Sequence, residues 1–355
     1  MTSLYIHIPF CKQKCAYCSF YSVSDDYKSE YTNAIIRCVK QYGGKTLKSI
    51  YIGGGTPSVM PCEQIQKIFS EIYNNFTVID DAEVTVEVNP ESVSAEFLQT
   101  LKLCGVNRIS MGVQSFCDNE LTAIGRLHDS KTAKDAIALC REYGFDNISC
   151  DLIFGLPHQT PDSLKTSVDT LLALGVPHIS CYNLQLEEGT PICKMAHLVA
   201  SEDTQAKMYH LVCDTLKDAG YNHYEISNFC KDGFIARHNS AYWDGSDYLG
   251  LGPAAHSKLG NKRCFFEADI KAFIEKDSFE FDGCEEITDA TFEKIMLSLR
   301  TSNGLDLNYV KNSDVFIKNI VNNGFATIEN GKLILTDKGF YLSNSIIAEI
   351  TAREC

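Results

Sequence analysis

Short apolar runs alternate with amphipathic stretches six times over in the first 200 residues. The runs 4–8, 49–52, 83–88, 108–112, 148–153 and 178–184 are rich in β-branched and aromatic residues and predict strands. Between them, 27–42, 61–75, 94–104, 130–143 and 161–174 carry apolar residues at helical spacing. The helix punctuation agrees. Ser94 is placed to cap the third helix and Gly105 follows its end, while Thr160–Pro161 opens the fifth and Gly175 closes it. Repeated strand–helix alternation predicts parallel strands with right-handed crossovers.

Nearly every predicted strand runs into a polar or glycine-rich cluster. These are a cysteine loop after the first, then GGGTPS (53–58), EVNPES (87–92), MGVQSF (111–116), DLIFGLP (151–157) and YNLQLEEGTP (182–191). Active sites of α/β barrels are built at the carboxyl ends of the strands. The α/β class and six such clusters therefore predict a partial (β/α)6 barrel with one site at its mouth. After a predicted helix over 201–219, the chain turns rich in Gly, Asn and aromatics and reads as loops and short strands packed on the barrel. From 287 the pattern becomes helix (289–300), helix (314–322), a hairpin turning at Asn330–Gly331, and helix (338–352). That order predicts a small α+β, winged-helix-like domain. The expected division is a core over 1–235, a connecting segment over 236–286 and this domain over 287–355.

Composition narrows the function. The chain has 355 residues, 45% of them apolar, enough for a substantial core. No run reaches the ~18 apolar residues of a membrane span, and the opening MTSLYIHIPF lacks the charged and apolar regions of a secretory signal. A formal net charge of −14 and the lack of any basic run argue against nucleic acid as a partner. The acidic balance favours a packing or protein-contact role for the C-terminal module over DNA binding. The 16 cysteines, in a chain of this length, read as reduced thiols in a cytoplasmic setting, most of them small core side chains.

Three cysteines stand apart. Cys11, Cys15 and Cys18 follow one another as C-x3-C-x2-C in a single loop. The spacing suits a cubane iron–sulfur cluster held by thiolates and leaves one iron without a protein ligand, because the next candidate position is Phe20. A zinc knuckle is the alternative, but it needs a second ligand pair, and none follows at suitable spacing.

With these residues in place, YIHIPFCKQKCAYCSF, IGGGTPS, VEVNPES, ISMGVQSF, IGRLHD, DLIFGLP and CYNLQLEEGTP resemble the radical S-adenosylmethionine (SAM) enzymes of the coproporphyrinogen-dehydrogenase-like group. The likeness runs from residue 5 to about residue 258, and the tail resembles that group's C-terminal domain. It implies a [4Fe–4S] cluster on Cys11, Cys15 and Cys18, with SAM on the open iron. Gly54, Gly55 and Thr56 would lie along the methionine end of SAM, Glu87 would take its ribose or amino group, and Gln114, Arg126 and Asp151 would complete the cofactor shell. Arg126 would pair a carboxylate with two hydrogen bonds. Tyr5, on the same side of a strand as His7, would approach the cluster and cofactor, and Tyr17 would shield the adenine.

Within that group the features point to the heme-chaperone branch. Phe20 stands where the oxidase branch carries a further cysteine, only four residues precede Tyr5, and HNSAYW (238–243) matches that branch's H-N-x-x-Y-W pattern. The resemblance implies a heme-binding protein with His238 as a candidate iron ligand and Tyr242 and Trp243 against the porphyrin face. Implied partners are heme, a heme-acceptor protein, respiratory or membrane-bound, and an electron donor such as flavodoxin or ferredoxin. SAM cleavage is compatible with this reading, but porphyrin decarboxylation is not expected of it. The alternatives are an oxygen-independent coproporphyrinogen III dehydrogenase, a heme-degrading methyltransferase-like branch, and a non-catalytic metal- or DNA-binding regulator.

Overall fold

The structure, a computed structural model, describes residues 1–24 and 26–354. Six strands lie side by side in chain order, all parallel: β1 (Thr2–Ile8), β2 (Thr46–Gly54), β3 (Thr77–Val88), β4 (Arg108–Gln114), β5 (Ile148–Phe154) and β6 (His178–Asn183). The crossovers are α1 (Lys28–Tyr42), α2 (Cys62–Asn75), α3 (Ala95–Leu103), the pair α4 (Asp118–Ala123) and α5 (Ser130–Glu142), and α6 (Pro161–Ala173); α7 (Glu202–Asp218) follows β6. The caps sit where the sequence puts them. Ser94 Oγ accepts the Phe97 amide at 3.2 Å, and Thr160 forms a reciprocal capping box with Ser163. Gly105 and Gly175 take positive φ of 75° and 65° just past their helices, a conformation glycine adopts without penalty.

Register explains why the strands have two unlike faces. On β1, Leu4, Ile6 and Ile8 are fully buried and meet the helices, where Ile35, Ile68, Leu98, Ile137 and Val168 are equally buried. Burial of each such side chain is worth about 1.5–3 kcal/mol, so the core lies between sheet and helices. The alternate positions face the other way. Tyr5 is level with Tyr51, Tyr51 with Thr85 and Thr85 with Arg108, and farther along Glu87 is level with Ser110, and Gly112 with Asp151 and Asp151 with Ser180. The barrel interior is therefore polar.

Strands β2 and β3 begin earlier than predicted. Thr46 pairs with Thr77, and a register shift between Leu47 and Ser49 absorbs the extra residues of β3. The region after α7 is also more regular than its composition suggests. It supplies β7 (Asn222–Glu225), β8 (Asn228–Cys230), α8 (Arg237–Trp243), β9 (Tyr248–Leu251), β10 (His256–Leu259), β11 (Lys262–Phe265), α9 (Ile270–Glu275) and β12 (Gly283–Glu286). These strands extend both edges into a 12-stranded sheet, with β9 parallel to β1 and β8 antiparallel to β6. Residues 236–286 thus build one sheet edge as well as linking the chain's two ends.

One cysteine pair departs from the reduced-thiol expectation. Cys264 on β11 lies opposite Cys284 on β12 and is joined to it as a disulfide, with Cα atoms 4.1 Å apart. Antiparallel strands bring non-hydrogen-bonded pairs to about 4.5 Å, so register alone makes these two side chains neighbours. Cys355 lies outside the described residues.

The remaining chain forms α10 (Ala290–Ser298), β13 (Leu305–Asp306), α11 (Asp314–Asn322), β14 (Ala326–Glu329), β15 (Lys332–Leu335), α12 (Asp337–Tyr341) and α13 (Ser343–Glu354), its sheet ordered β13-β15-β14. The hairpin turns at Asn330 and Gly331, both with positive φ, as an Asn-Gly turn requires. The single last helix predicted over 338–352 is two helices, divided at Leu342, whose amide closes a tight turn onto the Gly339 carbonyl at 3.1 Å.

Candidate cofactor site at the barrel mouth

The cysteine loop leaves β1 at Ile8 and is tied down at three points. The Cys11 amide bonds the Val23 carbonyl, the Ala16 amide bonds that of Ile124, and the Ile192 amide bonds that of Ala16. The loop therefore sits at the carboxyl ends of the strands, and Cys11, Cys15 and Cys18 are all half-buried free thiols. They line one wall of a cavity of about 450 Å³. Among the described residues that line it, no further cysteine and no histidine accompanies them. Cys11 Sγ is 3.4 Å from Thr56 Oγ1, and Cys15 Sγ accepts from Arg126 Nη1 at 3.5 Å. Burial, with Cys15 and Cys11 close by, raises the Cys18 thiol.

The glycines after β2 are needed by the fold itself. A Cβ on Gly54 would stand 2.5 Å from the His7 ring, and one on Gly55 would stand 2.7 Å from the Phe10 carbonyl oxygen. Gly54 also has φ of 108°, which L side chains rarely adopt. With Thr56 they line the cavity, so close packing against the end of β1 and an open backbone at the mouth come from the same residues.

Of the three carboxylates that line this space, Glu87 and Asp151 stand on the strands and Glu187 follows β6. Glu87 accepts from the Tyr51 hydroxyl at 2.6 Å and from the Gly54 amide at 2.9 Å. Burial outweighs these bonds and pushes its pKa up to about 7. Asp151 is pushed up to about 6, again by burial, against a hydrogen bond from Ser180. Both values lie above those of an unfolded chain, so between them the folded protein holds more protons. The stability that these two groups contribute to the ligand-free protein is then fullest below their unfolded values, about pH 4, and is lost as pH rises through about 6 and 7. We predict that Glu87 contributes a loss on the order of 1–3 kcal/mol in unfolding free energy from pH 5 to pH 8, read as the difference between the wild type and Glu87→Gln. Glu87→Gln should flatten the slope, and an unchanged slope in that variant would remove Glu87 as its source.

Arg126 joins the walls. Its Nη2 donates to Asn89 Oδ1 at 2.9 Å and to the Gly112 carbonyl at 2.5 Å, its Nη1 reaches Cys15, and its Nε is buried without a partner. Gln114, at a positive φ of 69°, lies beside it on the cavity wall. Tyr17 also faces the cavity and packs on a small apolar cluster that includes Ile124, Ile153 and Leu184. Tyr5 does not line the cavity. Its hydroxyl donates to His7 Nδ1 at 2.9 Å, and His7 Nε2 donates to the Tyr21 carbonyl at 2.9 Å, so this pair braces the root of the loop.

The 238–243 motif lies on α8, and its contacts are with Ser49 and Tyr51 of β2, Glu83 of β3 and Tyr248 of β9. Glu83 accepts the Arg237 and His238 amides at 2.8 and 2.9 Å. The His238 side chain is 1% exposed. Its Nδ1 bonds Ser49 Oγ at 3.0 Å and its Nε2 bonds the Tyr242 hydroxyl at 3.0 Å, so neither ring nitrogen is open to an iron. Burial, with Arg108 and Lys48 near, holds its pKa at about 3 and the ring neutral. Tyr242 packs edge-on against Tyr248 with centroids 4.6 Å apart, and Trp243 is half-buried at the end of α8. From this motif only Asn239 reaches the cavity.

Several cavity residues escape motif reading: Tyr51, Arg108 and Ser180 lie outside the motifs, and Ser110 and Tyr182 lie within them without an assigned role. A signal for them exists. They are the polar residues at alternate positions of otherwise apolar strands. Arg108 is the largest, 1% exposed with Nε and Nη1 unpartnered.

The residues present fit a cluster and SAM. Three thiols converge on a cavity, a fourth protein ligand is lacking among the described lining residues, and buried polar atoms on Arg126 and Arg108 point to a polar occupant. The family model of the radical SAM superfamily matches residues 5–171. The chain is 36% identical to the heme chaperone HemW of Bacillus subtilis, over 98% of each chain. It is also 36% identical to that of Escherichia coli, over 72% of this chain and 70% of the relative. The coproporphyrinogen III oxidase HemN of Escherichia coli superposes with a TM-score of 0.83, at 22% identity and with 98% and 89% of the chains covered, which shows a shared fold. The chain belongs to the radical SAM superfamily and, within it, to the HemW family.

Proposed function

We propose that this protein is a heme chaperone, one that binds heme and passes it to an acceptor protein while carrying a [4Fe–4S] cluster and SAM. The observation that carries the reading is the match to proteins named heme chaperone HemW along 98% of the chain, on a barrel mouth where all three cluster thiols are present. Cys11, Cys15 and Cys18 would hold the cluster. Once reduced, such a cluster supplies one electron to the sulfonium of SAM. The chain's own residues do the positioning. Glu87, fixed by Tyr51 and Gly54, offers acceptor oxygens to a hydroxyl or ammonium. Arg126 locks Cys15 and Asn89 to β4, and Asp151 presents a second carboxylate across the cavity. Tyr17 and its apolar neighbours cover one side and exclude water.

No helix of the described chain is long and apolar enough to cross a membrane. The working compartment we infer is the cytoplasm, with an electron donor of the flavodoxin or ferredoxin type. A respiratory heme protein, reached by transient contact at the membrane, is the acceptor class we favour.

In this reading His238 braces the lower end of the barrel, and heme iron is ligated elsewhere. Anaerobic heme titration of the cluster-loaded chain tests both parts. About one heme per chain should bind with a shifted Soret band, and His238→Ala should lower stability by about 1–3 kcal/mol while leaving heme affinity within about threefold. Absence of saturable heme binding would end the chaperone reading, and a loss of about tenfold or more in affinity in His238→Ala would return the iron to His238.

A further inference from the structure

Away from the mouth, three ligating side chains meet where the barrel touches the C-terminal residues. Cys213 comes from α7, His223 from β7 and Asp337 from the first turn of α12. One ligand atom from each lies within 4.8 Å of the other two. His223 Nδ1 is 2.8 Å from Asp337 Oδ1, and its Nε2 is buried with no partner. The Tyr209 hydroxyl, one helical turn before Cys213, is also buried, on a residue only 6% exposed, and lies beside the Cys213 thiol. Aromatic rings close the site. The His223 ring stacks on Phe229 with centroids 4.0 Å apart and leans on Phe340 at 4.9 Å, while Tyr209 lies 5.2 Å from Tyr341.

The unpartnered His223 Nε2, beside a thiol and a carboxylate, leaves a desolvation cost that the surrounding rings cannot relieve. The hydrogen bond with His223 holds the Asp337 carboxylate in place beside the Cys213 thiol. Thiolate, imidazole and carboxylate together form a borderline-soft donor set that suits zinc better than magnesium or calcium. We propose that Cys213, His223 and Asp337 bind one Zn²⁺ that clamps the C-terminal residues to the barrel, with the Tyr209 hydroxyl or a water as fourth ligand. Binding displaces the proton of the Cys213 thiol to solvent. Zinc bonds of about 2.0–2.3 Å require the ligand atoms to close in by about 1 Å. The site is separate from the cysteine loop and does not depend on the heme reading.

The test is metal content of the full-length, cluster-loaded chain after exposure to Zn²⁺ and passage over a mild chelating resin. About one zinc per chain should remain, and Cys213→Ser and His223→Gln should each lower zinc affinity by about tenfold or more. A chain with Cys11, Cys15 and Cys18 all changed to Ala should keep its zinc, which separates this site from adventitious loading of the cluster loop. In that background Co²⁺ should give tetrahedral d–d bands with a thiolate charge-transfer band, lost in Cys213→Ser even if that variant is less stable. Zinc below about 0.1 per chain in the wild type, or zinc content indifferent to Cys213→Ser and His223→Gln, overturns the proposal.

Discussion

Anaerobic reconstitution of Cys15→Ala protein should yield a chain without the broad visible absorbance of an iron–sulfur cluster. Iron should fall from about four atoms per chain to a tenth of that or less. The reason is arithmetic as well as geometric. Three thiols face the cavity with no other cysteine or histidine among its described lining residues, so each loss leaves two thiolates for four irons. Cys15 is also the thiol that Arg126 addresses, at 3.5 Å, which places it beneath the only guanidinium bonded to the loop's sulfurs among the described residues. The loop itself should persist, because its anchors at Val23, Ile124 and Ile192 are backbone hydrogen bonds. A folded variant without iron is therefore the expected result, and full iron and sulfide content would refute the ligand assignment.

The second large effect is expected at Arg126. Its guanidinium bonds Asn89, the Gly112 carbonyl and Cys15 at once, its Nε is buried without a partner, and the residue lines the cavity. Removing it unties the cysteine loop from β4 and deletes a buried charge that can pair a carboxylate. Truncating one partner of such a buried, charge-assisted set costs about 2–5 kcal/mol. Arg126→Ala should therefore weaken SAM binding to the cluster-loaded protein by about a hundredfold or more in equilibrium dialysis. Arg126→Lys should restore little, since a point charge cannot reach three acceptors in one plane. A dissociation constant within threefold of the wild type, with cluster content intact, would place the SAM carboxylate elsewhere.

Much of this architecture is written in local patterns. The six parallel strands and five crossovers follow from apolar period and caps, and Ser94, Thr160, Gly105 and Gly175 act where their chemistry predicts. The cysteine loop is legible because thiol spacing in one loop survives any tertiary arrangement. What escaped depends on partners distant in sequence. β7 to β12 are three or four residues each, and all but β9 carry polar side chains, so their identity as strands comes from the sheet edges they join. The glycines of GGGTPS read as room for a cofactor, yet the His7 ring and the Phe10 carbonyl already demand them. His238 reads as a ligand because imidazole is one. Only Ser49 and Glu83, brought from other parts of the chain, together with Tyr242 one turn along α8, show both ring nitrogens taken and the backbone capped. Cys264 and Cys284 read as two more core thiols until strand register sets them face to face.

The fold shared with coproporphyrinogen III oxidase makes one comparison decisive. A single anaerobic preparation, cluster-loaded, reduced and supplied with SAM, is given coproporphyrinogen III, and the products are separated. The account predicts no protoporphyrinogen IX above a stoichiometric trace from a preparation that binds heme. Protoporphyrinogen IX formed over many turnovers would contradict it and make the protein an oxidative decarboxylase.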